Sequence, residues 1–408
     1  MLFLAAAAAV VSVILLQYFL YKRHSFDHVE YRAYFSESEV YTGDDIYLYE
    51  EIANTGKIPL PFIKIETELP DGLKFTLLED SSAHKKNGKT SVTEEKLTAR
   101  YEGRVHSMFV LRPGSVIKRR WRVICRVRGE YRLDGALATA TDILGYLAVS
   151  KRIMPSEDKR TSVTVLPLPE ELDGKYASSK YICGDAISNI CPVTDPVRIC
   201  GSRDYTPSDP MNRVNWKSTA AHGRLMVNIE EKTVRHRFSI LFNMNSREIE
   251  QYPDSPSDPA SVERGIILCA SVLDRIAAED LPVSIFLNTD PSSSEMLKPV
   301  SDGEQGSKIS ASGPFRGRSD TVYALRMLSS LKMSISLPAE RFFDHVASNP
   351  RLYSENENLI VISPYLDERM LNLRKALSGY GVNVIYYIST SRNSLGQIPA
   401  DADVYFLL

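Results

Sequence analysis

The last third of the chain most constrains the fold, because its hydrophobic period keeps switching. Short apolar runs at Arg237–Phe242 (RFSILF), Leu281–Leu287 (LPVSIFL), Leu359–Ser363 (LIVIS), Val382–Ile388 and Val404–Leu408 have strand length. Between them, apolar residues recur every three or four positions. Val262, Ile266, Cys269, Leu273 and Ile276 make one stripe, and Val322, Leu325, Leu328 and Leu331 another. Phe342, Phe343 and Val346 follow Pro338, a suitable helix start, and Met370, Leu373 and Leu377 run into Gly379, a suitable helix stop. A run apolar at every position suits a strand buried on both faces, and a one-sided stripe suits a helix that covers it. The alternation predicts a mainly parallel, Rossmann-like α/β sheet over residues 235–408, with its ligand crevice at the carboxyl ends of strands. Pro291–Gly313, rich in Ser and Gly, reads as a flexible loop.

Residues 25–150 follow a different rule. Asp44–Ala53 and Ile63–Leu69 alternate with period two, and Asn54-Thr55-Gly56 and Pro70-Asp71-Gly72 are turn signals. Short strands at this spacing predict an all-β sandwich. In the run KRRWRVICRVR, Trp121, Val123, Cys125 and Val127 are expected on one face, and Arg120, Arg122, Arg126 and Arg128 on the other. Two readings of the arginine face stay open. It is a solvated outer face, partly paired with Glu66 and Glu68, or it rests on anionic lipid.

The lipid reading depends on the first 24 residues. Leu2–Tyr21 carries no charge, and as a helix it would extend about 30 Å, the thickness of a bilayer core. No basic residue precedes it and no small-residue cleavage site follows, whereas Lys22 and Arg23 come directly after it. The expectation is a single transmembrane anchor at the cell membrane with a cytoplasmic body. A reporter fused after Leu408 and active only on the outer side would reject that orientation. A net charge of −2 gives no global field for nucleic acid, and the five cysteines form no C-x-x-C pair.

Residues 151–234 join the two patterned regions as a linker and an irregular segment. No phosphate loop, dinucleotide fingerprint, nucleophile elbow or H-E-x-x-H occurs in the chain. The irregular segment contains RDYTPSDPMNRVNWKS, Arg203 to Ser218. The residues Arg203, Tyr205, Pro207, Asp209, Arg213, Trp216, Lys217, Ala220, Gly223 and Leu225 resemble the signature of the bacterial domain of unknown function 58 family. The resemblance implies the same order of parts over nearly the whole chain: membrane segment, β-rich domain, signature, then a von Willebrand factor type A-like domain. It also implies a protein partner, since such proteins often accompany MoxR-type AAA+ ATPases.

The sequence departs from the family pattern at Ser208, Asn215 and Ala221, where glycine, aspartate and arginine are usual. A type A domain commonly binds a divalent cation through D-x-S-x-S, and Asn243, Asn245 and Arg247 stand at those positions. Ser363-Pro364 replaces a usual aspartate, with Asp367 close enough to restore a carboxylate. An amide for a carboxylate and a cation for a hydroxyl predict a degenerate metal-ion-dependent adhesion site that holds no metal and no other cofactor.

Two readings of the signature remain open at this point. Its charges are a buried buttress with Trp216 beneath the sheet, or Arg203, Tyr205, Asp209, Arg213, Trp216 and Lys217 form a docking surface. A non-catalytic interaction or assembly-factor protein is the expected function. The alternative is a ligand-binding protein or hydrolase that uses the crevice near Asn243, Asn245 and Asp367.

Overall fold

The computed structural model describes residues 26–390 and 404–406 with Ser12, Tyr18 and Phe19, apart from residues 69, 71, 87–88, 94–97, 102–103, 142–147, 156–159, 173–192, 208, 234–236, 291, 293, 301–308, 350–356 and 381. The expected anchor, Leu2–Tyr21, lies almost wholly outside the described residues. Among those described, no helix is long and apolar enough to cross a membrane. The chain divides into two units, Met1–Leu168 with Leu325–Leu331, and Pro169–Ala324 with Lys332–Leu408.

The first unit is a β-sandwich, as its period-two runs require. One antiparallel sheet has the order β1 (Val29–Phe35), β3 (Asp45–Asn54), β9 (Ser115–Cys125), β5 (Leu73–Lys86), β6 (Lys89–Thr93). The other has the order β12 (Ala148–Ile153), β11 (Ala136–Thr141), β4 (Leu60–Glu68), β8 (Arg104–Leu111), β7 (Thr98–Tyr101). A third, small sheet joins β10 (Gly129–Arg132), β13 (Ser162–Leu166) and β2 (Glu39–Tyr41). The sandwich therefore continues past residue 150, through β12 and β13. Ile46, Leu48, Ile52, Ile117, Trp121 and Val123 from the first sheet form one core with Ile63, Ile65, Phe109 and Ala138 from the second.

That core holds a buried ion pair. Glu50 of β3 and Arg119 of β9 sit opposite each other in register and both point inward. The Arg119 guanidinium lies 3.0 Å from the carboxylate and donates to Ser107 Oγ at 2.7 Å. Trp121 Nε1 and the Tyr31 hydroxyl donate to Glu50 at 2.6 and 2.7 Å. The guanidinium also lies over the Phe109 and Trp121 rings.

The strand carrying Arg119 departs from the expected pattern at its end. Arg120 is half-buried over the Tyr47 ring, and Arg122 and Arg126 are exposed. Arg128, expected outside, is buried, and Val127, expected inside, is exposed. β9 stops at Cys125, so strict alternation ends there, and Gly129 turns the chain with φ 150°. Arg128 then donates from Nη1 to the carbonyl oxygens of Leu328, Ser329 and Leu331. Those are the open carbonyls of a helix end, a natural place for a cation. A lipid-facing role is thus excluded for Arg128. The expected partners also differ, because β4, with Glu66 and Glu68, belongs to the other sheet. Arg122 pairs with Asp45 and Lys118 with Glu51 instead, both on adjacent β3.

In the second unit, β14 (Val193–Asp204) pairs with β15 (Met226–Thr233). Between them lie a 3₁₀ turn, Met211–Arg213, and a short helix, α1 (Trp216–His222). The rest is a seven-stranded sheet in the order β18 (Lys298–Pro299), β19 (Ser310–Phe315), β17 (Val283–Leu287), β16 (Arg237–Phe242), β20 (Glu357–Ser363), β21 (Asn383–Ile388), β22 (Val404–Phe406). The central strands are parallel, as the helical connections α2 (Pro259–Ala278), α3 (Gly317–Ser330), α4 (Ala339–Ser348) and α5 (Glu368–Ser378) demand.

The predicted α2 stripe is buried throughout. Gly265 on that helix lets it approach the Phe242 ring, since a Cβ there would come within 2.8 Å of it. Leu241, the neighbouring residue, faces the other way, into a cluster with Phe342, Phe343, Leu373 and Leu377 of α4 and α5. The sheet is thus covered on both faces.

The segment expected to be a loop at Pro291–Gly313 instead contributes β18 and most of β19, an antiparallel edge. Its Ser- and Gly-rich composition hides a strand held mainly by buried Ile309 and Phe315. Gly379 ends α5 as expected, though with right-handed φ of −67°.

Candidate functional site

Asp209 organises the signature. Its carboxylate accepts two parallel bonds from Arg203, at 2.7 and 2.6 Å, and two from Thr206, from the backbone N–H at 2.9 Å and from Oγ1 at 2.7 Å. The Arg203 fork, followed by the Thr206 donors, holds the carboxyl far below the ordinary carboxylate range. Four donors on one carboxylate fix the turn from Arg203 to Asp209.

The next stretch is fixed at its own ends. Asn215 caps α1 by accepting from Ser218 N at 3.0 Å, and its amide also donates to Asn228 at 2.6 Å. Gly223 closes the helix in the left-handed region at φ 66°. Tyr205 N donates to Leu225 O at 2.9 Å, and Met226 N to Thr219 Oγ1 at 3.0 Å. Ser208 lies outside the described residues, and Ala221 is exposed.

This rigid segment buries little of its own side-chain surface. Trp216 is 65% exposed, Met211 57% and Leu225 40%. Arg203, Arg213 and Lys217 are exposed, and Tyr205 and Asp209 partly so. The expected Arg203–Asp209 pair is present, but at the surface. The buttress reading is overturned, because Trp216 does not pack beneath a sheet and the charges are not in a core. A large apolar residue has to sit outward here, since the short α1 contributes no buried residue at all.

The strand-end crevice lies where β16 meets β20, the point at which the connections reverse direction across the sheet. It is filled by amides. Asn243 Nδ2 donates to Ser363 Oγ at 3.1 Å. The Asn288 amide donates to Asn243 Oδ1, Asn245 Oδ1 and Leu337 O at 3.3, 2.8 and 2.9 Å, and its oxygen accepts from Met244 N at 2.7 Å. Asn243, Asn245, Asn288 and Ser363 are all buried. Arg247 points to solvent. Asp367 caps α5, accepting from Met370 N at 2.8 Å. Among the described residues, no three His, Cys, Asp or Glu side chains come together as a metal cluster.

An open cleft of about 530 Å³ lies along β17 and β19, lined in part by Phe286, Met296, Phe315 and Tyr323. Its charged lining is Lys298 and Asp320, and Asp320 already accepts from Arg316 N at 2.9 Å. Two thiols, Cys125 and Cys269, are free and buried. Burial, followed by nearby Asp44, Asp45 and Glu37, pushes Cys125 up to about 11, so it is no nucleophile at neutral pH.

Sequence reasoning missed Asn288, although Leu287-Asn288 ends β17 as Phe242-Asn243 ends β16. It also missed the loop that follows β16, in which Glu250 accepts from Ser246, Arg247 and Ser257.

No protein-family model matches the chain, and no curated protein matches it. Among solved structures, the major pilin SpaD of Corynebacterium diphtheriae is 11% identical over 31% of this chain and 33% of the pilin, with a TM-score of 0.25. The collagen-binding domain of Erysipelothrix rhusiopathiae surface protein RspB is 13% identical over 33% of this chain and 45% of that one, with a TM-score of 0.24. A cohesin from Archaeoglobus fulgidus is 15% identical over 31% of this chain and 94% of the cohesin, at 0.20. At such scores the likeness carries no functional argument, which rests on the residues themselves.

Proposed function

We propose that the chain is a non-catalytic docking protein, held at the cell membrane by Leu2–Tyr21 with its body in the cytoplasm. On this reading it is a relative of the domain of unknown function 58 family, its second unit is a von Willebrand factor type A-like domain, and its partner is a MoxR-type AAA+ ATPase. The observation that carries the reading is Trp216, 65% exposed on a segment whose charged residues brace it. Exposed Trp and Arg are typical binding hot spots, and a preformed surface loses little conformational entropy on binding. The strand order and two-sided helical cover support the type A-like reading of the sheet.

The hydrolase alternative has less support. Asp209, the candidate base, has four donors on its carboxylate and a depressed pKa, so it is a poor proton acceptor at neutral pH. Asn243 and Asn245 bond to Asn288 in the crevice.

A purified MoxR-type ATPase should be retained by the immobilised chain. Trp216→Ala should weaken that binding at least about tenfold, in the range expected for a hot spot, without changing the circular dichroism spectrum. Equal retention by the variant would sink the docking reading. Hydrolysis of a phosphoester or peptide, lost in a folded Asp209→Ala variant, would replace it with the enzyme.

A further inference from the structure

A second surface of the same unit exposes large apolar groups on a braced loop. Ile249 is 85% exposed and Tyr252 62%. Their loop is held from within by Glu250, which accepts from Ser246 N, from Ser246 Oγ at 2.9 Å, from Arg247 N at 3.2 Å and from Ser257 N at 2.6 Å. Ser246 Oγ accepts in turn from Asp258 N at 3.0 Å, Ser257 Oγ from Gln251 N at 2.8 Å, and Asp254 O from Ile335 N at 2.9 Å. Burial works to raise the Glu250 pKa, but the bonds from Ser257 and Ser246 outweigh it and hold it below normal. The brace is therefore charged and intact at neutral pH. So fixed, Ile249 and Tyr252 have little freedom to fold back against the protein.

The two surfaces are complementary. The signature segment exposes Met211, Trp216 and Leu225, and its cations Arg203, Arg213, Lys217 and Arg224 outnumber its acids Asp204 and Asp209. The loop joins Ile249 and Tyr252 with exposed Glu248 and Asp254, which outnumber Arg247. One is apolar and basic, the other apolar and acidic, and both are rigid.

We propose that the signature face of one copy of this chain receives the 247–254 loop of a second copy. This rests on the reading of the signature as a docking surface. The contact is heterologous, so a pair keeps a free loop on one copy and a free face on the other, and copies add head to tail into a ring or a row. Confinement of anchored copies to one membrane would raise their effective concentration for this pairing.

Sedimentation velocity of the full chain in detergent micelles, over about 1–100 μM, tests the proposal. Oligomers should grow with concentration. Trp216→Ala and the double change Ile249→Ala, Tyr252→Ala should each weaken association at least about tenfold. Lys217→Glu and Glu248→Lys should each weaken it, and the two charge swaps combined in one chain should restore it. A chain that is monomeric throughout, or one whose association ignores the loop variants, overturns the proposal. If the chain is monomeric while Trp216→Ala still abolishes ATPase binding, self-pairing alone fails and the docking reading stands. If Trp216→Ala changes neither association nor ATPase binding, both fail.

Discussion

Replacing Glu50 by Ala should cost the first unit about 3–5 kcal/mol and lower its melting temperature by roughly 10 °C. The size follows from what is left behind. Arg119 would keep a full charge in the sandwich core, beside its bond to Ser107. Trp121 Nε1 and the Tyr31 hydroxyl would both lose their acceptor. Burial, followed by the Glu50 charge, raises the Tyr31 pKa well above normal, so its hydroxyl stays a proton donor that needs a partner. Each stranded group accounts for about 1–3 kcal/mol within that total.

Removing both charges is a different experiment. Glu50→Leu with Arg119→Met leaves no buried charge, and such replacements of an ion pair are often neutral or stabilising. That double variant should recover the part of the loss that comes from the stranded Arg119 charge, while Trp121 Nε1 and the Tyr31 hydroxyl still lack the Glu50 acceptor. Thermal melts of the two variants decide the matter. A single Glu50→Ala change that costs under about 1 kcal/mol would show that water reaches the Arg119 guanidinium and that the pair is not a core element.

The Glu50–Arg119 pair also marks how far sequence reading reached. Period-two alternation located the strands of the sandwich because most inward positions are apolar, such as Ile46, Leu48 and Ile52 along β3. The same reasoning assigned the arginines of β9 to an outer face and passed over Arg119, which lies inward two positions before Trp121. A charge at an inward position is affordable only when its partner sits across the strand pair, and register is not visible from one strand. The switch to helical stripes placed α2, α4 and α5, since burial on one side is written into spacing. It could not place the β18–β19 edge, where Ser310, Ala311 and Ser312 carry most of the pairing.

The signature was legible as a cluster but not as a surface. Nothing in RDYTPSDPMNRVNWKS says whether Trp216 faces in or out. That depends on α1 being too short to bury a face, and on Asp209 spending its charge on the nearby Arg203 and Thr206. The Ile249–Tyr252 loop gave no signal because its order comes from Glu250 bonding to backbone donors and to the Ser246 hydroxyl, a pattern without hydrophobic periodicity.

Asn288→Ala carries the other large effect, expected at roughly 3 kcal/mol or more in the second unit. Its carboxamide serves the buried Met244 N–H, Asn243 Oδ1 and Asn245 Oδ1, and the partly buried Leu337 O. Alanine leaves them without it, and the freed space is too small to supply water to all of them. Asn288→Asp keeps the shape but puts a carboxylate where an N–H₂ now meets three oxygens. It should cost at least as much near neutral pH, and less once acid protonates the new group. Urea unfolding of the two variants separates two views of the crevice. If the amides are there to close the sheet at its reversal point, both variants lose stability. If the amides are instead reserved for a ligand, Asn288→Ala should leave stability within about 1 kcal/mol, because groups kept for binding stay poised at a cost to the fold rather than to its benefit. The number of bonds among Asn243, Asn245, Asn288 and Ser363 favours the first outcome, which would leave docking to the exposed Trp216 segment and the 247–254 loop.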